Sequence, residues 1–211
     1  MKIRLLIGDD HAVVRKGMKQ ILAETRDIVV ADEAGNGREV LEKVRKNDFD
    51  MVLLDISMPG RDGLEVLKEL KSLRPKLPVL MLSMYPEEQY AVRSLRSGAS
   101  GYLTKDSAPD ELISAIRKVS SGGKYVSASL AEKLAHKLGA DVEKPLHEAL
   151  SDREYQVMCM IASGKTVKEI GEELSLSVKT VSTYRSRILN KMRLKGNAEL
   201  TRYAIDNKLV T

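Results

Sequence analysis

One cysteine, Cys159, occurs in 211 residues. A lone cysteine excludes an internal disulfide and suits a reducing compartment. It falls in the apolar helical stretch VMCMIA and reads as core packing rather than a reactive thiol. No apolar run approaches the ~20 residues of a membrane-crossing helix, so no membrane association is expected. The opening run Ile3-Arg4-Leu5-Leu6-Ile7 is too short for a signal-peptide core and ends in two acids, so a cytoplasmic location is expected. Internal repeats and low-complexity tracts are lacking. So is a GxxxxGK(S/T) loop to cradle nucleotide phosphates, which argues against ATP binding.

The length allows two domains, and 43% hydrophobic residues can fill their cores. The net charge of +5 is unevenly placed. Residues 1–121 hold 20 Lys+Arg against 19 Asp+Glu, 122–146 hold 4 against 3, and 147–211 hold 11 against 8. Lys179 to Lys195 carries six basic residues and no acid. A basic helix of this kind suits a polyanion, although a solvated helix face has the same composition.

The first 120 residues alternate in type. Strand-length apolar runs lie at 3–7, 28–34, 51–55, 78–82 and 101–104, with helical patterns at 12–24, 37–46, 63–73, 86–97 and 107–120. Such alternation predicts an α/β, doubly wound, five-stranded parallel sheet. Ser107 is the expected N-cap of the last helix, with Pro109 in its first turn. After Ser121-Gly122-Gly123 no strand pattern recurs. A short helix at 128–138, ended by Gly139, and a linker at 139–149 are expected. Four helical stretches follow. Ser151-Asp-Arg-Glu154 and Thr166-Val-Lys-Glu169 are capping-box sequences, Ser177 is a good N-cap, and Gly196-Asn197 precedes the last helix. The domain limits read as 1–121, a helix and linker at 122–147, and 148–211.

Polar residues mark the strand ends: Asp9 and Asp10, Asp55, Ser83 and Lys105. C-terminal strand ends line one edge of a parallel sheet, where ligands bind. Adjacent carboxylates near a third are costly without a cation, and hard oxygen ligands suit Mg²⁺. A carboxylate is also a covalent nucleophile toward phosphoryl groups. Asp55 is the candidate phosphoacceptor, Lys105 would neutralise a phosphate oxygen, and Ser83 would hydrogen-bond another. Singly, each has a plainer reading: Asp10 as a helix cap, Ser83 as a loop hydroxyl, Lys105 as a surface charge. Their joint placement favours the site.

GDDH at 8–11, LLDISMPGRDGLE at 53–65, MLS at 81–83 and GYLTKD at 101–106 resemble the receiver domain of bacterial two-component response regulators. The resemblance covers roughly residues 2–120 and implies a flavodoxin-like strand order 2-1-3-4-5. It implies Asp10 as a direct Mg²⁺ ligand, Asp9 as a ligand through water, and the Ser57 carbonyl as a further ligand. It also places Tyr102 at the aromatic switch position. The phosphoryl donor would be a sensor histidine kinase or a small phosphodonor. His11 reads as a helix-start residue.

In the second half, helices at 167–174 and 178–193 joined by Ser175-Leu176-Ser177 have helix-turn-helix spacing. At 100° per residue, Val178, Val181, Ile188, Leu189 and Met192 share one face of the second helix. Lys179, Ser182, Thr183, Ser186 and Asn190 share the other, which a DNA major groove can admit. Lys179, Ser182, Thr183 and Ser186 are candidates for base contacts. Lys165, Thr166, Tyr184, Arg187 and Lys191 are candidates for phosphate contacts. Arg185 lies on the apolar side and reads as structural, paired with an acid such as Glu154. The pattern, in an all-α domain of four helices, resembles the LuxR-type DNA-binding domain over about 148–210. The two resemblances together imply the NarL/FixJ subfamily: a phosphorylation-switched transcription regulator, not a conventional enzyme, that binds double-stranded promoter DNA as a homodimer, with RNA polymerase as a further partner. Two other readings compete. A phosphatase with Asp55 as transient nucleophile lacks a visible substrate pocket or cap domain. A receiver working by protein contact alone would not show salt-dependent DNA binding.

Overall fold

The computed structural model describes residues 2–128, 130–132 and 145–210. It divides into two compact units, Met1–Leu134 and Ala135–Thr211.

The first unit alternates strand and helix: β1 (Ile3–Gly8), α1 (Ala12–Ala23), β2 (Ile28–Ala34), α2 (Gly37–Lys46), β3 (Met51–Asp55), α3 (Gly63–Leu73), β4 (Val79–Ser83), α4 (Glu87–Arg96), β5 (Gly101–Thr104) and α5 (Pro109–Ser120). All strand pairs are parallel, in the order β2-β1-β3-β4-β5. β3 and β4 are buried at every residue, which is why their sequences are apolar until the last position. Side chains alternate across the sheet. Leu5, Ile7, Leu53, Leu80, Leu82 and Leu103 pack with Met18 and Leu22 of α1 and with Leu112, Ile116 and Val119 of α5. Val40 of α2 fills the space over Gly8, where an added Cβ would lie 2.6 Å from its Cγ2.

Several boundaries differ from the sequence reading. Gly8 and Ser83 close their strands rather than follow them, and β4 starts after Pro78. Ala108, not Ser107, is the N-cap of α5, with Pro109 as its first residue. The Ser107 hydroxyl instead lies 3.2 Å from Thr104 Oγ1. The chain also continues along the sheet after α5. Tyr125 bridges to Gly101 of the edge strand β5, with Tyr125 N–H donating to Ser100 O (2.9 Å) and Tyr102 N–H to Tyr125 O (3.2 Å). A Cβ on Gly101 would come within 2.6 Å of Tyr125 O, so the bridge needs glycine there. Of the helix expected at 128–138, residues 128 and 130–132 are helical. Its remainder, with Gly139 and most of the expected linker, lies outside the described residues. Leu146–Ala149, assigned to that linker, form a 3₁₀ turn.

The second unit comprises α6 (Asp152–Ala162), α7 (Val167–Leu174), α8 (Val178–Met192) and α9 (Asn197–Asp206). Both capping boxes form, at Ser151/Glu154 and Thr166/Glu169, and the Ser177 side chain caps α8. Cys159 is buried, as expected of a core residue. Val181, Ile188 and Met192 bury the inner face of α8, with Ile170 and Leu174 of α7 and Leu200 and Ala204 of α9 also in the interior. Val178 is a correction: it opens α8 and stays 49% exposed. The turn between α7 and α8 is tight. Ser175 adopts a left-handed conformation (φ 55°), and Leu176 N–H donates to Gly171 O (2.8 Å).

A Cβ on Gly171 would lie 2.8 Å from Leu176 O, a backbone atom that cannot swing away. Gly171→Ala is therefore expected to force this turn open and destabilise the second unit by about 1–3 kcal/mol. Thermal unfolding followed by amide exchange in each unit would show protection falling in α7 and α8 while the sheet is unaffected.

Candidate functional site

The carboxyl ends of β1, β3, β4 and β5 bring Asp9, Asp55, Ser83 and Lys105 to one edge. Asp9, Asp55 and Ser83 are at most 1% exposed, and the Lys105 side chain 5%. Lys105 Nζ lies 2.7 Å from Asp55 Oδ2 and 2.7 Å from Asp9 Oδ2. The first contact is a hydrogen bond. The second is an ion pair of the same length, so one ammonium serves both buried carboxylates. Lys105 is thus not a surface charge. Asp10 does not cap α1: the N-cap is His11, whose side chain makes no capping bond.

Electrostatics follow from this packing. Burial pushes the Asp55 carboxyl up to about 6; Lys105 opposes the shift and Asp9 adds to it. Burial pushes Lys105 down, but the Asp55 and Asp9 carboxylates outweigh it and hold the ammonium above its ordinary range. The other Asp55 oxygen, Oδ1, accepts from Ser57 N–H at 3.2 Å. Ser83 Oγ accepts from Tyr85 N–H (3.0 Å), which leaves its own proton to point at a ligand. Tyr102 is fully buried, and its hydroxyl donates to Tyr85 O (2.8 Å).

Asp9, Asp10, His11 and Asp55 each place a ligand atom within 4.8 Å of the others. Three carboxylates that close, sharing a single ammonium, are the oxygen-donor set that fits a hard divalent cation.

Three supporting residues escaped the sequence reading. Arg15 on α1 donates from Nη1 to Asp9 O (2.7 Å) and from Nε to Glu33 Oε2 (3.2 Å), pinning the acidic loop to β2. Asp62 caps α3 by accepting from Leu64 N–H (2.7 Å). Gly63 lies against Asp55, where a Cβ would come within 2.0 Å of the Asp55 carbonyl. The Asp-Gly pair in LLDISMPGRDGLE carried the signal for the last two, as a cap followed by a residue without a side chain.

On α8, Lys179, Ser182, Thr183, Ser186 and Arg187 are exposed and Tyr184 is half-buried. Thr183 Oγ1 and Ser186 Oγ donate back to Lys179 O (2.9 Å) and Ser182 O (3.1 Å). Lys179, Thr183, Tyr184 and Arg187 line a shallow groove that begins at Ser177. The Thr166 hydroxyl is occupied by its capping box, and Lys165 is paired with Glu173. The pairing expected for Arg185 is corrected. Its Nε donates to Asn197 Oδ1 (2.7 Å), and Glu154 pairs instead with Lys191 (2.6 Å). Lys191 lies in the last turn of α8, six residues after Arg185, and its ammonium meets the buried acid.

Residues 5–117 match the response regulator receiver domain, and residues 148–204 match the bacterial regulatory proteins of the luxR family. The chain belongs to the NarL/FixJ response regulators. It is 38% identical to the response regulator UvrY of Escherichia coli (strain K12) over 208 residues, covering 98% of this chain and 95% of UvrY. It is 37% identical to the oxygen regulatory protein NreC of Staphylococcus carnosus over 215 residues, covering 99% of each chain. It is also similar to RcsB from Salmonella enterica serovar Typhimurium, solved bound to promoter rprA in the presence of the phosphomimetic BeF3⁻. That match has a TM-score of 0.67 and 26% identity, and covers 96% of this chain and 98% of RcsB. This response regulator is accordingly a two-component transcription regulator with a receiver and a LuxR-type DNA-binding domain. None of its described helices is long and apolar enough to cross a membrane.

Two outcomes follow for the regulator in metal-free buffer. The ionised Asp55 costs stability above pH 6, and that cost fades as pH falls from about 6 toward the ordinary carboxylate value of 3.8. Asp55→Asn is expected to be more stable than the wild type by up to about 3 kcal/mol at pH 8, and about equal below pH 4. Urea unfolding at both pH values measures the difference; a constant difference would contradict it. Lys191→Ala leaves the buried Glu154 without its ammonium, so it is expected to lower the melting temperature of the second unit as well as DNA affinity.

Proposed function

We propose that Asp55 accepts a phosphoryl group from a cognate sensor histidine kinase, and that the phosphorylated regulator binds double-stranded promoter DNA as a homodimer in the cytoplasm. The observation that carries the reading is Asp55 itself. It is a buried strand-end carboxylate, ionised at neutral pH, that faces an ammonium, a hydroxyl and two further carboxylates. The domains follow the limits 1–121, 122–147 and 148–211.

In the transfer, an Asp55 oxygen bonds to phosphorus as the phosphorus–nitrogen bond of the donor phosphohistidine breaks. The departing imidazole takes a proton. Lys105 gives up part of its contact with Asp55 to neutralise a phosphate oxygen, and the Ser83 proton turns to another. Asp9, Asp10, Asp55 and the Ser57 carbonyl would hold Mg²⁺. When bound, Mg²⁺ screens the charge of the incoming phosphate. The regulator thus acts only on its own phosphoryl group.

The switch role of Tyr102 rests on Tyr85. One backbone residue accepts from the Tyr102 hydroxyl and donates to the Ser83 hydroxyl. A phosphate that draws Ser83 inward releases the Tyr85 amide and repositions the carbonyl that holds Tyr102. Two half-sites about one DNA turn apart then require two copies of α8. In α8, Lys179, Ser182, Thr183 and Ser186 face the bases. Lys165, Thr166, Tyr184, Arg187 and Lys191 face phosphates, with the ion pairs of Lys165 and Lys191 exchanged for DNA. That RcsB was solved on a promoter in the presence of a phosphomimetic supports promoter DNA as the partner.

Asp55→Asn should abolish acid-labile phosphorylation by a phosphodonor in Mg²⁺, because an amide is not a competent nucleophile. One equivalent of phosphate on the variant would contradict the assignment. Lys179→Ala should relax sequence preference at a cost of roughly 1–3 kcal/mol, whereas Lys165→Ala should weaken all sequences alike and flatten the salt slope. Titrating specific and random duplexes across salt concentrations separates the two. Binding that shows neither sequence preference nor salt dependence would favour a receiver acting by protein contact.

A further inference from the structure

The chain leaves the receiver by a segment that three receiver elements hold at once. Lys124 Nζ donates to Ala99 O (2.7 Å), and the Tyr125 backbone lies against β5. The Tyr125 hydroxyl donates to Glu111 Oε1 in the first turn of α5 (2.9 Å). The Ser127 hydroxyl donates to Glu87 Oε2, on the first residue of α4. That same hydroxyl accepts from Leu130 N–H (3.1 Å), and Ser127 O accepts from Ala131 N–H (3.0 Å), so Ser127 caps the helical residues that follow it. A hydroxyl has one proton. Giving it to Glu87 turns the oxygen lone pairs toward the Leu130 amide, so the carboxylate on α4 holds the cap in its working orientation.

Of the three supports, α4 is the one that follows Ser83 directly in the chain. Tyr85 N–H donates to Ser83 Oγ, and Glu87 comes two residues after Tyr85. Pro86 between them, at φ −56°, stiffens the connection. We propose that Ser127 and Glu87 form a latch on the exit segment, closed in the unphosphorylated receiver. A phosphate on Asp55 that draws Ser83 inward carries Tyr85 with it and, through Pro86, Glu87. The Ser127 proton then loses its acceptor, and the helix beginning at 128 loses its oriented cap. The phosphorylation state is thereby read as fastening or release of the chain that leads to the second unit, a local event with a distant readout. The Tyr125 bridge to β5 stays in place as the pivot. The proposal rests on the reading of Asp55 as phosphoacceptor and of Ser83 as the hydroxyl that meets the phosphate.

Amide hydrogen exchange on the full-length chain tests the latch, with and without beryllofluoride and Mg²⁺. In the wild type the phosphate mimic is expected to speed exchange at Leu130 and Ala131 by roughly 5- to 150-fold, the range of a typical coupling between sites. Tyr102, whose amide donates to Tyr125 O, should keep its protection. Glu87→Ala should show the fast exchange without the mimic and gain little more from it. Glu87→Gln, whose side-chain oxygen still accepts, should stay slow until the mimic is added. The β3 amides report global stability and should be alike in all three proteins. Unchanged rates at Leu130 and Ala131 in wild type carrying the mimic would overturn the proposal. So would Glu87→Ala exchange that is as slow as wild type, or that rises equally at β3. The Ser57 amide, which donates to Asp55, reports the mimic itself. No response there would overturn the phosphoacceptor reading and the trigger with it, while the Glu87 variants still decide whether the latch exists.

Discussion

Three carboxylates converge at the edge of a buried sheet, and a single ammonium lies 2.7 Å from two of them. Like charges held that close in a low-dielectric surrounding repel strongly, and removing each from water adds to the cost. Lys105 offsets part of both penalties. It does not offset all, since Asp55 still titrates near 6 rather than in the ordinary carboxylate range. That residual imbalance is useful. The carboxylate is ionised at neutral pH yet poorly satisfied, a state in which an incoming electrophile or cation is favoured. The neighbouring backbone keeps it so: Gly63 allows α3 to start against the Asp55 carbonyl, and Asp62 caps that helix.

The second unit handles charge in the opposite way. Its buried acid, Glu154, is held below the usual carboxylate range; burial works against this, but Lys191 and Ser151 more than compensate. Lys165 has Glu173. Both of these paired lysines are proposed to meet phosphates, as is Arg187, which like Lys179 has no ion-pair partner among the described residues and lines the outer groove of α8. Exchanging a carboxylate for a phosphate keeps such a lysine's charge compensated throughout, so the gain from DNA comes mainly from released counterions rather than from the pair itself.

Sequence pattern sufficed for the strands and helices because a buried parallel sheet demands apolar runs and its helices demand caps. The strand-end residues were readable for the same reason: a charge directly after a buried run has to be at an edge. What escaped was contact across long separations. Arg15 reaches the Asp9 carbonyl from the side of α1, and no local pattern marks an arginine that serves a backbone oxygen. Arg185 and Lys191 both carry a charge on the inner half of α8, and choosing which meets Glu154 needs the relative turn of two helices. Ser107 resembled a cap by chemistry, but Pro109 fixes the first helical position and leaves Ala108 before it. Nothing in the local sequence around Gly171 marks the backbone oxygen that faces it.

Tyr125 lies outside the alternating pattern, yet it lends the sheet part of a sixth strand. A parallel sheet ends in rows of unpaired amides and carbonyls, and such edges invite pairing with another chain. The bridge to Gly101 occupies one of these groups on β5 and the Ser100 carbonyl just before it, and Ser127 reaches on to Glu87 of α4. A fragment cut at 121 would retain every member of the acidic cluster while carrying an uncovered edge on its shortest strand. Self-association of such a fragment would then report a severed edge rather than a natural interface, and a cut beyond Ser127 avoids the confusion.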